Sequence, residues 1–138
     1  MTIEYRNSLP SKEEFVALFD TTGWNMEYNL SPEELIRAIS NSWFTVSAYD
    51  ADTLVGFGRI VSDGVLHAMI YDLITDPSYQ NHGIGTEILA RLVAKATING
   101  IRDIQLFCAR GKRSFYENRH FKVRSDDAPG MEYVAGPV

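Results

Sequence analysis

A mixed α/β (α+β) fold is predicted, and three features of the chain carry it. Two helix starts occupy the first 40 residues, three strand-period runs separated by tight turns follow, and a glycine-containing loop then opens a long helix that leads into another strand. Antiparallel strands followed by a strand–helix–strand crossover give a mixed sheet with helices packed on it.

The helix starts are written at fixed offsets. Ser11-Lys-Glu-Glu14 and Ser31-Pro-Glu-Glu34 both read as capping boxes, in which a serine and a glutamate three residues on satisfy each other's backbone N–H groups. Pro32 suits the first helical position, where no donor is needed. Behind the caps, Phe15, Leu18 and Phe19, then Leu35, Ile36 and Ile39, recur at helical spacing.

The period changes at Trp43. Strands are expected over Trp43 to Tyr49, Thr53 to Val61 and Val65 to Thr75, with Asp50-Ala-Asp52 and Ser62-Asp-Gly64 as the turns and Asp76-Pro77 as the stop. A helix from about Gly83 to Ile98 places Ile84, Ile88, Leu92 and Ala96 on one stripe and ends at Asn99-Gly100. Strand Ile104 to Cys108, short helix Lys112 to Asn118, and strands His120 to Arg124 and Met131 to Val134 complete the reading.

The chain of 138 residues is expected to form one domain, 1–138. Thirteen Lys and Arg against eighteen Asp and Glu give a net charge of −5. That balance argues against nucleic acid or an anionic membrane as a partner and suits a cationic small molecule such as an amine. No run approaches the length of a membrane span, and the first residues lack the cationic start and apolar run of a signal peptide, so a cytoplasmic location is expected. Cys108 is the single cysteine, and His67 and His82 have no ligand partners at metal spacing, so no metal is expected.

Three segments carry candidate chemistry. In Gln80-Asn-His-Gly83-Ile-Gly85-Thr86, glycines let the backbone approach a ligand closely, and the N–H groups of the helix start favour an anion such as a pyrophosphate. Ile88 breaks the dinucleotide fingerprint, and no Gly-Lys-Ser/Thr follows. Second, period-two alternation places Asp72 on a face with Leu66, Ala68, Ile70 and Ile74. A carboxylate in an apolar surround has a raised pKa and suits a proton acceptor; the alternative is an ion pair with a neighbour such as Arg59. Third, Phe115-Tyr116 lies on a short aromatic helix, and the phenol suits proton donation to a leaving group, the alternative being a core role.

Together, Asp72-Leu-Ile-Thr-Asp-Pro77, Gln80-x-x-Gly-x-Gly85 and Phe115-Tyr116 resemble the GNAT superfamily of acetyl-coenzyme A-dependent N-acetyltransferases. The run Arg59 to Pro77, with Leu106-Phe107 and Gly130-Met131, is most similar to the plant- and cyanobacterial-type serotonin N-acetyltransferases and their bacterial relatives. The resemblance implies a sheet of about six to seven strands flanked by about four helices. It also implies acetyl-coenzyme A as co-substrate and direct attack by a primary amine, with small arylalkylamines or polyamines favoured over a protein N-terminus or lysine. A non-catalytic acetyl-coenzyme A-binding module is the alternative, and a homodimer is common in the superfamily.

Carried over by position, Leu73, Ile74 and Thr75 would pair with the pantetheine arm, and Gln80, Asn81, His82, Gly83, Ile84, Gly85 and Thr86 would hold the pyrophosphate. Tyr116 would be the general acid and Asp72 an amine-binding or deprotonating group. Trp24, Tyr28 and Tyr49 are candidates for an aromatic acceptor pocket. Two positions depart from the pattern: Ala109 stands where many members carry Asn, and His120 precedes Phe121 where Gly is frequent. Because transfer is direct, Cys108 is expected as a buried strand residue with no covalent role.

Overall fold

The computed structural model describes residues 1–136 and forms two compact units, Met1–Phe107 and the residues from Cys108 onward. The first unit holds a five-stranded sheet in the order β1-β2-β3-β4-β5, with β1 Ile3–Arg6, β2 Phe44–Asp50, β3 Thr53–Ser62, β4 His67–Thr75 and β5 Asp103–Leu106. The first four strands pair antiparallel and β5 joins β4 in parallel. Helices α1 Lys12–Asp20, α2 Asn25–Tyr28 and α3 Pro32–Ser40 precede β2, and α4 Ile84–Ile98 makes the crossover from β4 to β5. The second unit carries α5, Arg113–Glu117.

Both capping boxes form. The Glu14 N–H donates to Ser11 Oγ at 3.1 Å and the Ser11 N–H to Glu14 Oε1 at 2.8 Å; the corresponding bonds at Glu34 and Ser31 are 3.1 and 2.9 Å. These helices bury Phe15, Leu18, Phe19, Leu35 and Ile39 in one cluster with Tyr49, Leu54, Phe57 and Ile74 of the sheet. The stripe Ile84, Ile88, Leu92 and Ala96 of α4 is buried, as its spacing predicts.

Where α4 crosses β3, two glycines let the helix come close. A Cβ on Gly58 would lie 2.8 Å from Ile88 Cγ2, closer than real Cβ contacts, and 3.0 Å from Leu92 Cδ1, a tight one. Gly58→Ala should therefore destabilise the fold by about 1–3 kcal/mol through overpacking. Urea unfolding would register this as a lower midpoint at unchanged slope, and an unchanged midpoint would show that the helix recedes freely.

Several expectations are corrected. The first strand, β1, precedes the helices; four residues at a sheet edge leave too short an alternation to distinguish from a helix approach. His120 to Arg124 and Met131 to Val134 form no strand, so the described residues hold five strands rather than six to seven, and five helices rather than about four. Val123, Met131, Tyr133 and Val134 are exposed there, so β propensity has no packed face to act on. Cys108 is exposed and lies beyond the end of β5, not in a strand.

Candidate active site

The site is built where β4 ends and α4 begins. β4 is regular from His67 to Ile70, where it pairs with β3 on one side and β5 on the other. Then the register slips: Tyr71 faces Arg59 and Ile74 faces Phe57, so Gly58 alone opposes both Asp72 and Leu73. This two-against-one arrangement is a β-bulge. Asp72 takes φ +55°, a left-handed conformation that costs a non-glycine residue energy unless its surroundings fix it.

The bulge has two consequences. It changes the side-chain parity of the strand, since Ile70 stands opposite Ile60 but Ile74 stands opposite Phe57, three residues along β3 and on the other face. The expectation that Leu66, Ala68, Ile70, Asp72 and Ile74 share one apolar face is thus corrected, and Leu66 is exposed. It also coincides with the end of β5 pairing at Ile70–Leu106. From Tyr71 to Thr75, among the described residues, β4 has β3 on one side and no strand on the other. An open strand edge offers backbone N–H and C=O groups to an extended ligand with amides of its own.

Beyond Thr75 the chain is pinned before it reaches α4. The Asp76 N–H donates to Val55 O at 2.8 Å, and Asp76 caps a short 3₁₀ turn, Pro77–Tyr79, by accepting from the Ser78 N–H. Tyr79 Oη donates to Asp50 Oδ2 at 2.5 Å, which ties the turn to β2 and raises the phenol's pKa. Gln80 is extended, Asn81 has φ +66° and Gly83 φ +80°. Gln80 to Gly83 are exposed while Ile84 is buried, so the loop stays at the surface and the helix dives inward.

Gly83 is the N-cap of α4, and no side chain caps that end. Nothing lies within 4 Å of where its Cβ would stand, so the glycine is required by φ and not by crowding. The start of this fifteen-residue helix has no side-chain cap and carries a partial positive charge, which favours an anion at that end.

The carboxylate of Asp72 is engaged. Arg59 Nε donates to Asp72 Oδ2 at 2.7 Å, both side chains being largely buried, so Asp72 has the ion-pair partner and not an apolar surround. Arg59 Nη1 reaches Ala38 O at 3.3 Å and Ser42 Oγ at 3.4 Å, at the C-terminal end of α3.

The three aromatic pocket candidates take different places. Tyr49 is a core residue, 4 % exposed, donating to Glu14 Oε1 at 3.1 Å under the Arg6 guanidinium. Burial and the Glu14 carboxylate push its pKa up to about 12. Trp24 is half-buried, with its ring 6.0 Å from that of Phe19, and Tyr28 is exposed.

In the second unit, Tyr116 packs edge-on to Phe115 and Phe121, with ring centroids 5.1 and 6.0 Å away. Burial, with a smaller contribution from Cys108, pushes its pKa up to about 12. His120 has φ +72° and closes the turn that the Phe121 N–H bonds back to Tyr116 O at 3.1 Å, so the turn forms without glycine. Among the described residues no group of His, Cys, Asp or Glu is arranged to hold a metal, and no helix is long and apolar enough to cross a membrane.

The model of the acetyltransferase (GNAT) family matches residues 12–121, and the chain belongs to that family. It is 33 % identical over 105 residues to serotonin N-acetyltransferase 2, chloroplastic, of Oryza sativa subsp. japonica, covering 73 % of this chain and 52 % of that one. To the uncharacterized N-acetyltransferase ycf52 of Gracilaria tenuistipitata var. liui it is 28 % identical over 130 residues, covering 91 % and 69 %. A solved GNAT-family acetyltransferase of Streptococcus pneumoniae TIGR4 superposes with a TM-score of 0.78 at 28 % identity, covering 97 % of each chain. The chain spans about half the length of several curated relatives it matches.

Proposed function

We propose that this chain is an N-acetyltransferase that moves the acetyl group of acetyl-coenzyme A directly to the nitrogen of a primary amine. One observation carries the reading: the open edge of β4 at residues 71–75 leads within a few residues into the uncapped, left-handed Gly83 start of α4. An amide-bearing arm followed by a pyrophosphate needs a strand edge and then a helix N-terminus, in that order.

The residues present fit that co-substrate. Leu73, Ile74 and Thr75 supply backbone groups to the pantetheine amides, and the N–H groups of the segment from Gln80 to Thr86 hold the pyrophosphate. Bound acetyl-coenzyme A supplies an acyl group activated as a thioester. A splayed strand N–H in the segment from Leu73 to Ile74 stabilises the negative charge that develops on the acyl oxygen. Tyr116 holds its proton at Oη and delivers it to the departing sulfur. An alkylamine has a pKa near ~10, so the acceptor must lose a proton before it attacks.

A small arylalkylamine is the acceptor we favour. The net charge of −5 draws cations, and Trp24 and Tyr28 offer aromatic faces to a protonated amine. The similarity to a serotonin N-acetyltransferase supports the same class. Calorimetric titration with acetyl-coenzyme A should give saturable binding near one equivalent, followed by thiol release with arylalkylamines in a screen that includes polyamines and lysine peptides. Absence of binding would overturn the reading, and thiol release only with a peptide would move it to a protein acceptor.

A further inference from the structure

The bulge that opens β4 rests on a left-handed aspartate, and one side chain holds that aspartate. Asp72 at φ +55° is a conformation its own backbone disfavours, so it persists only where something outside β4 fixes it. Arg59, on the facing strand, does so at 2.7 Å, and its other nitrogen spans to the carbonyl of Ala38 and the hydroxyl of Ser42. A cation is favoured where α3 ends, because the last carbonyls of a helix carry partial negative charge. One guanidinium thus joins the end of α3 to the residue at which β4 leaves its register.

We infer that the Arg59–Asp72 pair is a latch that sets the bulge, and through it the position of Leu73, Ile74 and Thr75 toward bound coenzyme A. Asp72 and Arg59 are positioning residues in this assignment, not proton carriers. Gly58 completes the arrangement, since the single residue opposite the bulge must leave room for Leu73, whose Cδ1 lies 3.3 Å from where a Cβ would be. The inference rests on the proposed function for what the bulge presents, but not for how the bulge is held.

Amide hydrogen exchange along β4 of the ligand-free protein, measured for Asp72→Asn, Arg59→Gln and the double variant, tests the latch. Faster exchange is expected at the β3-paired amides of residues 73–75, about tenfold or more, with His67–Ile70 at wild-type rates. Both single variants should give the same change, and the double variant no more, because either substitution releases the same latch. Coenzyme A affinity should fall in parallel by about tenfold, with the pH–rate profile keeping its shape. Arg59→Lys should recover part of it.

Exchange that is unchanged at 73–75, or raised evenly along β4, would overturn the latch. A pH–rate profile altered by Asp72→Asn but not by Arg59→Gln would overturn it in favour of a proton-transfer role for Asp72. A wild-type protein that binds no coenzyme A would remove the proposed function, and the exchange data would still decide the latch.

Discussion

Gly83→Val should abolish measurable coenzyme A binding, a loss of at least about a hundredfold, while leaving the protein folded. The cause is backbone conformation. Gly83 holds φ +80° at the N-cap of α4, a region that β-branched residues enter only at a cost of about 1–3 kcal/mol. Valine has room for its side chain, since nothing lies within 4 Å of the Cβ position, so it need not disturb the core. It relieves the strain by moving the backbone toward negative φ, which redirects the N–H groups that begin the helix. In the proposed function those groups hold the pyrophosphate, so binding should depend on their aim.

Gly83→Asn is the control. Asparagine tolerates the left-handed region, as Asn81 two residues earlier already does at φ +66°. It should retain binding within about fivefold, since its residual strain is a fraction of a kcal/mol to 1 kcal/mol. Calorimetry on the three proteins, with circular dichroism to confirm folding, separates the two explanations. Wild-type affinity in the valine variant would mean that the pyrophosphate sits elsewhere. Equal loss in both variants would mean that any side chain there collides with the ligand and that φ is not the issue.

How much of this was legible in the sequence follows from how local each signal is. The capping boxes and the α4 stripe depend on residues three or four apart in one helix, and both took the form their spacing implies. The helix start at Gly83 was readable for the same reason, because glycines and the first apolar residues of the stripe lie within a few consecutive positions. The bulge was not readable. It is a mismatch between two strands, so period-two counting along β4 carries Asp72 and Ile74 onto the wrong face from the slip onward.

Arg59 could be named as a partner for Asp72 because the two strands are joined by a short turn and so must be neighbours. Its second grip, on the end of α3, joins residues about twenty positions apart and has no sequence signature. Tyr49 shows the opposite failure. An aromatic residue in a strand looks the same whether it lines a pocket or fills a core, and the partner that decides, Glu14, is already spoken for by its capping box in a sequence reading. One carboxylate oxygen accepts from both the Ser11 N–H and the Tyr49 hydroxyl, which holds the Glu14 pKa below its usual value.

Tyr116→Phe should lower kcat by about 10²- to 10³-fold while changing acetyl-coenzyme A affinity little, the size expected when a positioned proton donor is removed. Phenylalanine keeps the ring and therefore its edge-on packing against Phe115 and Phe121, so the lesion is confined to the hydroxyl. The direction of the pKa shift gives a second, independent expectation. Burial favours the uncharged phenol and moves its pKa up from 10.0 to about 12, so the proton is held across the range in which an ordinary tyrosine begins to ionise.

A donor must be protonated to act, and Tyr116 remains so until the pH nears 12. The amine acceptor, by contrast, gains neutral fraction as pH rises toward its own pKa near ~10. The wild-type kcat should therefore climb from about pH 7 to about pH 10 without the fall that a tyrosine of ordinary pKa would impose at the upper end. The phenylalanine variant should follow the same rising limb at a uniformly lower level, because the amine still has to lose its proton. A variant with wild-type turnover would take the phenol out of the reaction and leave Tyr116 as the centre of an aromatic cluster. A wild-type profile that turns down near pH 10 at constant fold, with the fall absent from the variant, would instead keep the phenol as donor and overturn its raised pKa.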